Sequence, residues 1–208
     1  MKKHWMRTRR NDPEGLRNRV LDVAADLFQS RGYHATGMRE VVSATDTSSG
    51  ALHHHFPTKE SLGVAVIAHR VAPAVRETWI EPIRRAESLQ SGIRKVFRNV
   101  IGGIDRRGAV RGCPLNNLAM ELAYSDPLFR DALQSIFTEW QAALEVRIAD
   151  TPGGGRLGRA RRAAAATFII ASYSGAMNLA KATQSAAPLR VAVRTLSEWL
   201  REQQVVAG

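Results

Sequence analysis

The chain has 208 residues, 44% hydrophobic and 24% charged, close to average globular usage, which excludes disordered, collagen-like and low-complexity classes. A single cysteine excludes an internal disulfide and a four-cysteine zinc site, and fits a reducing, cytoplasmic setting. Lys and Arg total 30 against 19 Asp and Glu, a formal +11 that draws a chain to polyanions, yet residues 1–62 carry ten basic and seven acidic groups, so basicity alone does not locate a nucleic-acid surface.

Lys2 to Arg10 is basic, but no apolar core of about 7–15 residues follows, so no export signal is expected. The predicted elements are helices throughout. Leu16, Val20, Val23, Ala24, Leu27 and Phe28 share one helical face. Asp12 caps that helix with Pro13 at its first position, and Gly32 ends it in a left-handed turn. Thr36 reads as the cap of a short second helix with Met38, Val41 and Val42 inward. Asp46 to Ser49 is a tight turn, and a third short helix runs from about Ser48 to His55. Phe56-Pro57 breaks it, and Thr58 caps a fourth helix that runs to about Arg85 with a bend before Pro82.

Helices then follow from Ser88 to about Arg107, from Leu115 to Tyr124 after the Gly112-Cys113-Pro114 turn, and from Asp126-Pro127 through Leu144. Thr151 to Gly155 is a loop, and two last helices span about Leu157 to Thr183 and Leu189 to Gln203. Within the first of these, Ala163 to Ala180 is the most apolar stretch of the chain. It leans on alanine and contains Thr167, Ser172, Ser174 and Asn178, so it reads as a buried helix, with no membrane partner expected. With no alternating strand pattern, the expected fold is all-α.

Three short helices with a tight turn between the second and third form a helix-turn-helix pattern. A helix enters the DNA major groove only behind a narrow, hydrogen-bonding front. Thr47-Ser48-Ser49-Gly50-Ala51 supplies that front, while Leu52 and Phe56 anchor the other face inward. Thr36 and Lys59 start the flanking helices, whose N-termini can hold phosphates.

The stretch Arg19 to Leu62 resembles the N-terminal domain of the TetR/AcrR family, on Ala24-x-x-Leu27-Phe28, Gly32-Tyr33, Thr36, Arg39-Glu40-Val41, Ser48, Gly50-Ala51-Leu52, His55-Phe56 and Lys59-Glu60-x-Leu62. The resemblance implies a homodimeric, ligand-responsive repressor on double-stranded DNA. By the same resemblance Thr36, His53 and Lys59 match phosphate-contacting positions, and Ser48, Ser49, Gly50 and His54 match recognition-helix positions, with Arg39 a further candidate. His53 stands where the family usually has tyrosine, and Asp46 where it often has glycine. The string Gly112-Cys113-Pro114-Leu115-x-Asn117-Leu118-Ala119-x-Glu121 resembles the C-terminal domain of the LmrA/YxaF-like branch and suggests a drug- or flavonoid-type inducer.

Three other motifs read as structural. Consecutive helical residues point about 100° apart, so His53-His54-His55 cannot converge on one ion and no metal site is expected. Gly153-x-Gly155-x-x-Gly158 matches a dinucleotide fingerprint but follows a helix instead of a strand, and no cofactor is expected. Cys113 reads as a small buried hydrophobe.

Inducer pockets are mostly apolar with a few polar groups. The candidates are Trp79, Phe97, Ile101, Asn117, Met120, Phe137, Trp140, Phe168 and Tyr173. The last two helices, about residues 157–204, are the expected dimer interface. The first is apolar nearly all round and rich in small residues, and the second adds Leu196, Trp199 and Leu200. The expected organisation is a basic arm over 1–11, a helix-turn-helix domain over 12–57 and a helical ligand-binding and dimerisation domain over 58–208. The expected function is repression from an inverted-repeat operator, released by a small, largely apolar inducer. No catalytic constellation stands out, so no enzyme is expected. The alternatives are a helical ligand- or partner-binding protein, or a transcriptional activator.

Overall fold

The computed structural model describes residues 12–124, 126–152 and 154–206, so the basic arm over 1–11 and Gly153 of the glycine loop lie outside the described residues. The elements run α1 (Pro13–Arg31), α2 (Met38–Thr45), α3 (Ser49–His55), α4 (residues 59–85), α5 (Leu89–Arg107), α6 (Pro114–Leu122), α7 (Pro127–Ala149), α8 (Arg159–Thr183) and α9 (Ala187–Val206). Among the described residues there is no strand. The fold is all-α: a three-helix N-terminal unit joined through α4 to a larger helical body.

Local signals set most boundaries. Asp12 Oδ1 accepts from the Gly15 N–H at 2.8 Å and starts α1. Gly32 ends it at φ +95°, a conformation that strains any side chain. Asp46 takes the left-handed turn between α2 and α3 at φ 49°. Ser48 and Thr58 cap α3 and α4 through the Ala51 and Ser61 N–H groups. The structure moves one cap. Gly37, not Thr36, caps α2, and its N–H is held by Glu40 Oε2 at 2.9 Å.

The bend before Pro82 has a specific form, and it occurs twice. Helix α4 contains π turns at Ile67–Val71 and Arg76–Ile80, just ahead of Pro73 and Pro82. Proline has no N–H to give and its ring presses on the preceding turn. An extra residue in the turn, with the Ala72 and Glu81 N–H groups reaching back to the Ile67 and Arg76 carbonyls, absorbs both defects and keeps one continuous helix.

Val20, Leu21, Ala24 and Phe28 of α1, Leu52 and Phe56 around α3, and Leu62 and Val66 of α4 form the N-terminal core. It continues without a break into the larger body. Gly63 makes the join possible: a Cβ there would stand 2.8 Å from both Phe129 and Tyr33, so only glycine lets α7 and the α1–α2 turn close on α4.

Helix α8 is long and apolar enough to span a membrane by length and composition alone, yet it packs against α7 and α9. It is not covered all round. Ala164, Phe168, Ala171, Gly175 and Leu179 form one exposed stripe. On α9, Leu196 (2% exposed) and Leu200 (7%) turn into the subunit's own core. The expectation that they face a partner is thus corrected, because the apolar stripe of α9 covers its own subunit and the outward face falls to α8 and Val191.

Candidate DNA interface and ligand groove

Ser48, Ser49, Gly50, His53 and His54 are all exposed on α3 and its cap, and Leu52 between them is fully buried. Nothing lies within 4 Å of a Cβ built on Gly50. The front of α3 is therefore narrow, polar and open, as groove entry requires. Arg39 is exposed on the neighbouring α2.

Thr36, His53 and Lys59, expected at phosphates, differ in character. Thr36 is 1% exposed and its hydroxyl donates to the Gly32 carbonyl at 2.8 Å, so its side chain is occupied inside the unit and drops out of the contact set. Nδ1 of His53 faces the Pro57 carbonyl at 3.2 Å. A carbonyl only accepts, so Nδ1 is the donor in this contact and Nε2 is left on the open side of the ring. The Lys59 ammonium sits 4.4 Å over the Tyr33 ring and donates to the His34 carbonyl at 3.2 Å. Burial lowers its pKa, against Glu121 and Glu40, which raise it.

In the larger body, Trp79, Phe97, Trp140 and Tyr173 form one aromatic cluster, with Trp79 4.7 Å from both Trp140 and Tyr173. Burial pushes the Tyr173 hydroxyl well above its ordinary range, and Cys113 beside it adds to the rise. Burial also raises the Cys113 thiol and keeps it protonated. The cluster packs against a groove of about 400 Å³ between α6, α7 and α8, lined by Asn116, Ala119, Met120, Phe137, Gln141, Ile170, Ala171, Ser174 and Asn178, among others. Phe137 is shared: it walls the groove and stacks on Trp140 at an interplanar angle of 13°.

At and behind the groove, three buried donors stand without an acceptor. Asn116 is 5% exposed; its Oδ1 accepts from Ser174, while Nδ2 has no partner. The Trp140 indole N–H is also unpaired, and that of Trp79 faces the Tyr173 hydroxyl without a well-formed bond. An unpaired buried donor is expensive, and a ligand acceptor would relieve it.

Three of the expected ligand residues sit elsewhere, and a fourth lies at the edge. Phe168 is 44% exposed and packs on Trp199, outside the cluster, because its helical position lies on the open stripe of α8. Ile101 points to a different groove, between α5 and α9. Asn117 faces α1: its amide donates to the Arg111 carbonyl and its oxygen accepts from Lys181. Met120 is 76% exposed, at the groove mouth. Asn116 escaped the sequence reading, which picked its neighbour Asn117: both amides stand between Leu115 and Leu118, and only packing separates them.

The far side of α6 grips the N-terminal unit. The Glu121 carboxylate accepts from the Tyr33 N–H at 2.8 Å and from the His34 N–H at 2.5 Å. Arg111 Nη2 donates to Asp26 Oδ1 at 2.7 Å, and the Gln29 amide donates to the Gly112 carbonyl. One nine-residue helix thus carries a wall of the groove and a clasp on the helix-turn-helix unit.

Residues 20–66 match the model for bacterial regulatory proteins of the tetR family, and residues 90–195 match the C-terminal domain of LmrA/YxaF-like transcriptional regulators. The chain belongs to the TetR family. This TetR-family regulator is 24% identical to LmrA of Bacillus subtilis over 174 residues, 83% of the chain and 90% of that protein. It is 29% identical to YxaF of the same organism over 130 residues, 61% of the chain and 66% of that protein. Its fold matches the crystal structure of a TetR transcriptional regulator from Chloroflexus aurantiacus with a TM-score of 0.75 and 27% identity, covering 91% of the chain and 96% of that one. The tetR-family match runs from within α1 through the start of α4, and the LmrA/YxaF-like match covers the groove-bearing helices.

Proposed function

We propose that this regulator is a repressor that binds an inverted-repeat operator as a homodimer and leaves it when a small, largely apolar ligand fills the α6–α7–α8 groove. The observation that carries the reading is the double duty of α6: Asn116 lines the groove and keeps a buried, unpaired amide, and Glu121 holds the Tyr33 and His34 N–H groups of the DNA-binding unit. The division at about residue 57 fits this, with Lys59 at the first turn of a helix that both units share.

The ligand class follows from the lining. Aromatic and aliphatic walls with donor groups call for a flat, apolar molecule bearing a carbonyl or other acceptor. A flavonol has that form. Two routes lead from it to DNA. Contact with Phe137 passes to Trp140 and on to Trp79, which sits in the second π turn of α4. Contact with Asn116 moves α6 and its Glu121 clasp. Helix α4 follows α3 after only Phe56-Pro57-Thr58 and shares its core, so its displacement changes the spacing of two recognition helices in a dimer, and half-sites one helical turn apart no longer fit. The ligand must bind the splayed state better than the DNA-competent one for this shift to occur. The partner surface is the open α8 stripe of Phe168, Ala171, Gly175 and Leu179, continued by Val191 on α9.

Selection of bound sequences from a random DNA pool at about physiological salt tests the reading. An inverted repeat whose complex dissociates on addition of a flavonol supports it. Recovery of no motif, with binding that vanishes as salt rises, overturns it.

A further inference from the structure

A second groove, of about 580 Å³, lies between α5 and α9, and its charge is one-sided. Arg94 and Arg98 on α5 face Arg190 and Arg194 on α9, with Asp105 the sole acid in the lining. Four guanidiniums against one carboxylate leave a formal +3. Asp105 is already taken, since Arg190 Nη2 donates to it at 2.8 Å. The guanidiniums of Arg94, Arg98 and Arg194 make no hydrogen bond or ion pair among the described residues. Between the cations the lining is apolar, formed by Ile101, Val193 and Gly102.

This arrangement works against the fold on its own. Arg94 and Arg98 stand four residues apart on one helix, as do Arg190 and Arg194 on the other, and like charges at that spacing repel. Packing α5 on α9 then brings the two pairs together. A solvated charged face needs no such convergence, because single arginines on separate turns keep a surface just as soluble. Planar guanidiniums that converge on a concave site recognise phosphate oxygens two at a time. The volume suits a ligand of nucleotide size, and the apolar lining suits the flat part of one.

We infer that the α5–α9 groove binds a small organic polyphosphate, gripped by Arg94, Arg98, Arg190 and Arg194 with its flat apolar portion on Ile101 and Val193. The site is separate from the α6–α7–α8 groove, and it does not depend on the DNA reading.

The test is isothermal titration of the full chain at about 0.15 M salt, where exposed charges further apart than about 8 Å are screened. The probes are a nucleoside triphosphate and inorganic triphosphate. Saturable one-to-one binding is expected, tighter for the nucleotide because only it uses the apolar lining. Arg98→Ala and Arg194→Ala should each weaken it about tenfold or more, and Arg98→Lys should recover only part. Thermal melts of the variants confirm that they fold. Absence of saturable binding overturns the proposal, and so does equal binding by wild type and variants. Loss of operator affinity in Arg98→Ala without triphosphate binding would assign the groove to the DNA backbone instead, overturning this proposal while leaving the repressor reading intact.

Discussion

Replacing Glu121 by glutamine tests the clasp between α6 and the DNA-binding unit. The carboxylate has an oxygen for each of two backbone donors, Tyr33 and His34. Glutamine keeps one acceptor and sets an NH₂ group against the other N–H. A hydrogen bond to a charged group is worth about 1.5–3 kcal/mol. The Tyr33 bond is partly buried and the His34 bond is exposed, so the combined loss is taken near the lower part of that range, about 2 kcal/mol. For a chain of this size each kcal/mol shifts Tm by about 2–4 °C, giving a fall of about 4–8 °C. Gly32 beside it gives no compensation, because its φ of +95° admits no side chain that could fill the gap. The measurements are thermal melting and operator affinity by fluorescence anisotropy, with and without flavonol. The variant should melt lower and respond less to ligand, since one of the two routes to the recognition helix is loosened. A Tm within about 1 °C of wild type, together with an unchanged ligand response, would refute the clasp.

Asn116→Leu removes a buried donor that has no partner, a group that costs about 1–3 kcal/mol; Tm should hold or rise while tryptophan quenching by a flavonol weakens, and quenching at full strength would exclude the amide from the site. Gly175→Arg places a long charged side chain in open space on the α8 stripe, so the subunit should stay folded and sediment as a monomer, whereas a persistent dimer would place the interface elsewhere. Lys59→Ala should weaken all DNA sites alike and lower the salt slope by about one unit, and a changed sequence preference would show that it reads bases. His53→Ala should weaken all DNA sites alike and leave the sequence preference unchanged, and undiminished operator affinity would remove His53 from the contacts.

The helices themselves were legible along the chain. Asp12, Ser48, Thr58, Ser88 and Asp126 each cap a helix whose apolar face follows within a turn, and these are local interactions that need no partner from elsewhere. The front of α3 was legible for the same reason, since Ser48-Ser49-Gly50 can be exposed only if Leu52 and Phe56 anchor the opposite face. Thr36 was misplaced by one position, because a threonine ahead of a helix is as good a cap by type as the glycine that follows it. Only the fold decided that its hydroxyl turns back to Gly32.

What periodicity leaves open is which of several apolar faces meets which. Trp79, Trp140 and Tyr173 converge from α4, α7 and α8, and nothing along the chain separates them from Phe168, which shares their chemistry and points outward beside Trp199. Leu196 and Gly175 follow the same rule: one is buried within the subunit and the other lies open, although both belong to the two helices assigned to the partner surface. Asn116 and Glu121 stand five residues apart on one short helix, yet one lines the α6–α7–α8 groove and the other holds Tyr33 and His34, nearly ninety residues earlier. By itself the sequence determined the class of fold, the helix ends and the polar front of the recognition helix, because capping and amphipathic spacing act within a few residues. The groove, the clasp and the open α8 stripe were decided by tertiary packing, because each depends on the angle at which helices distant in the chain cross.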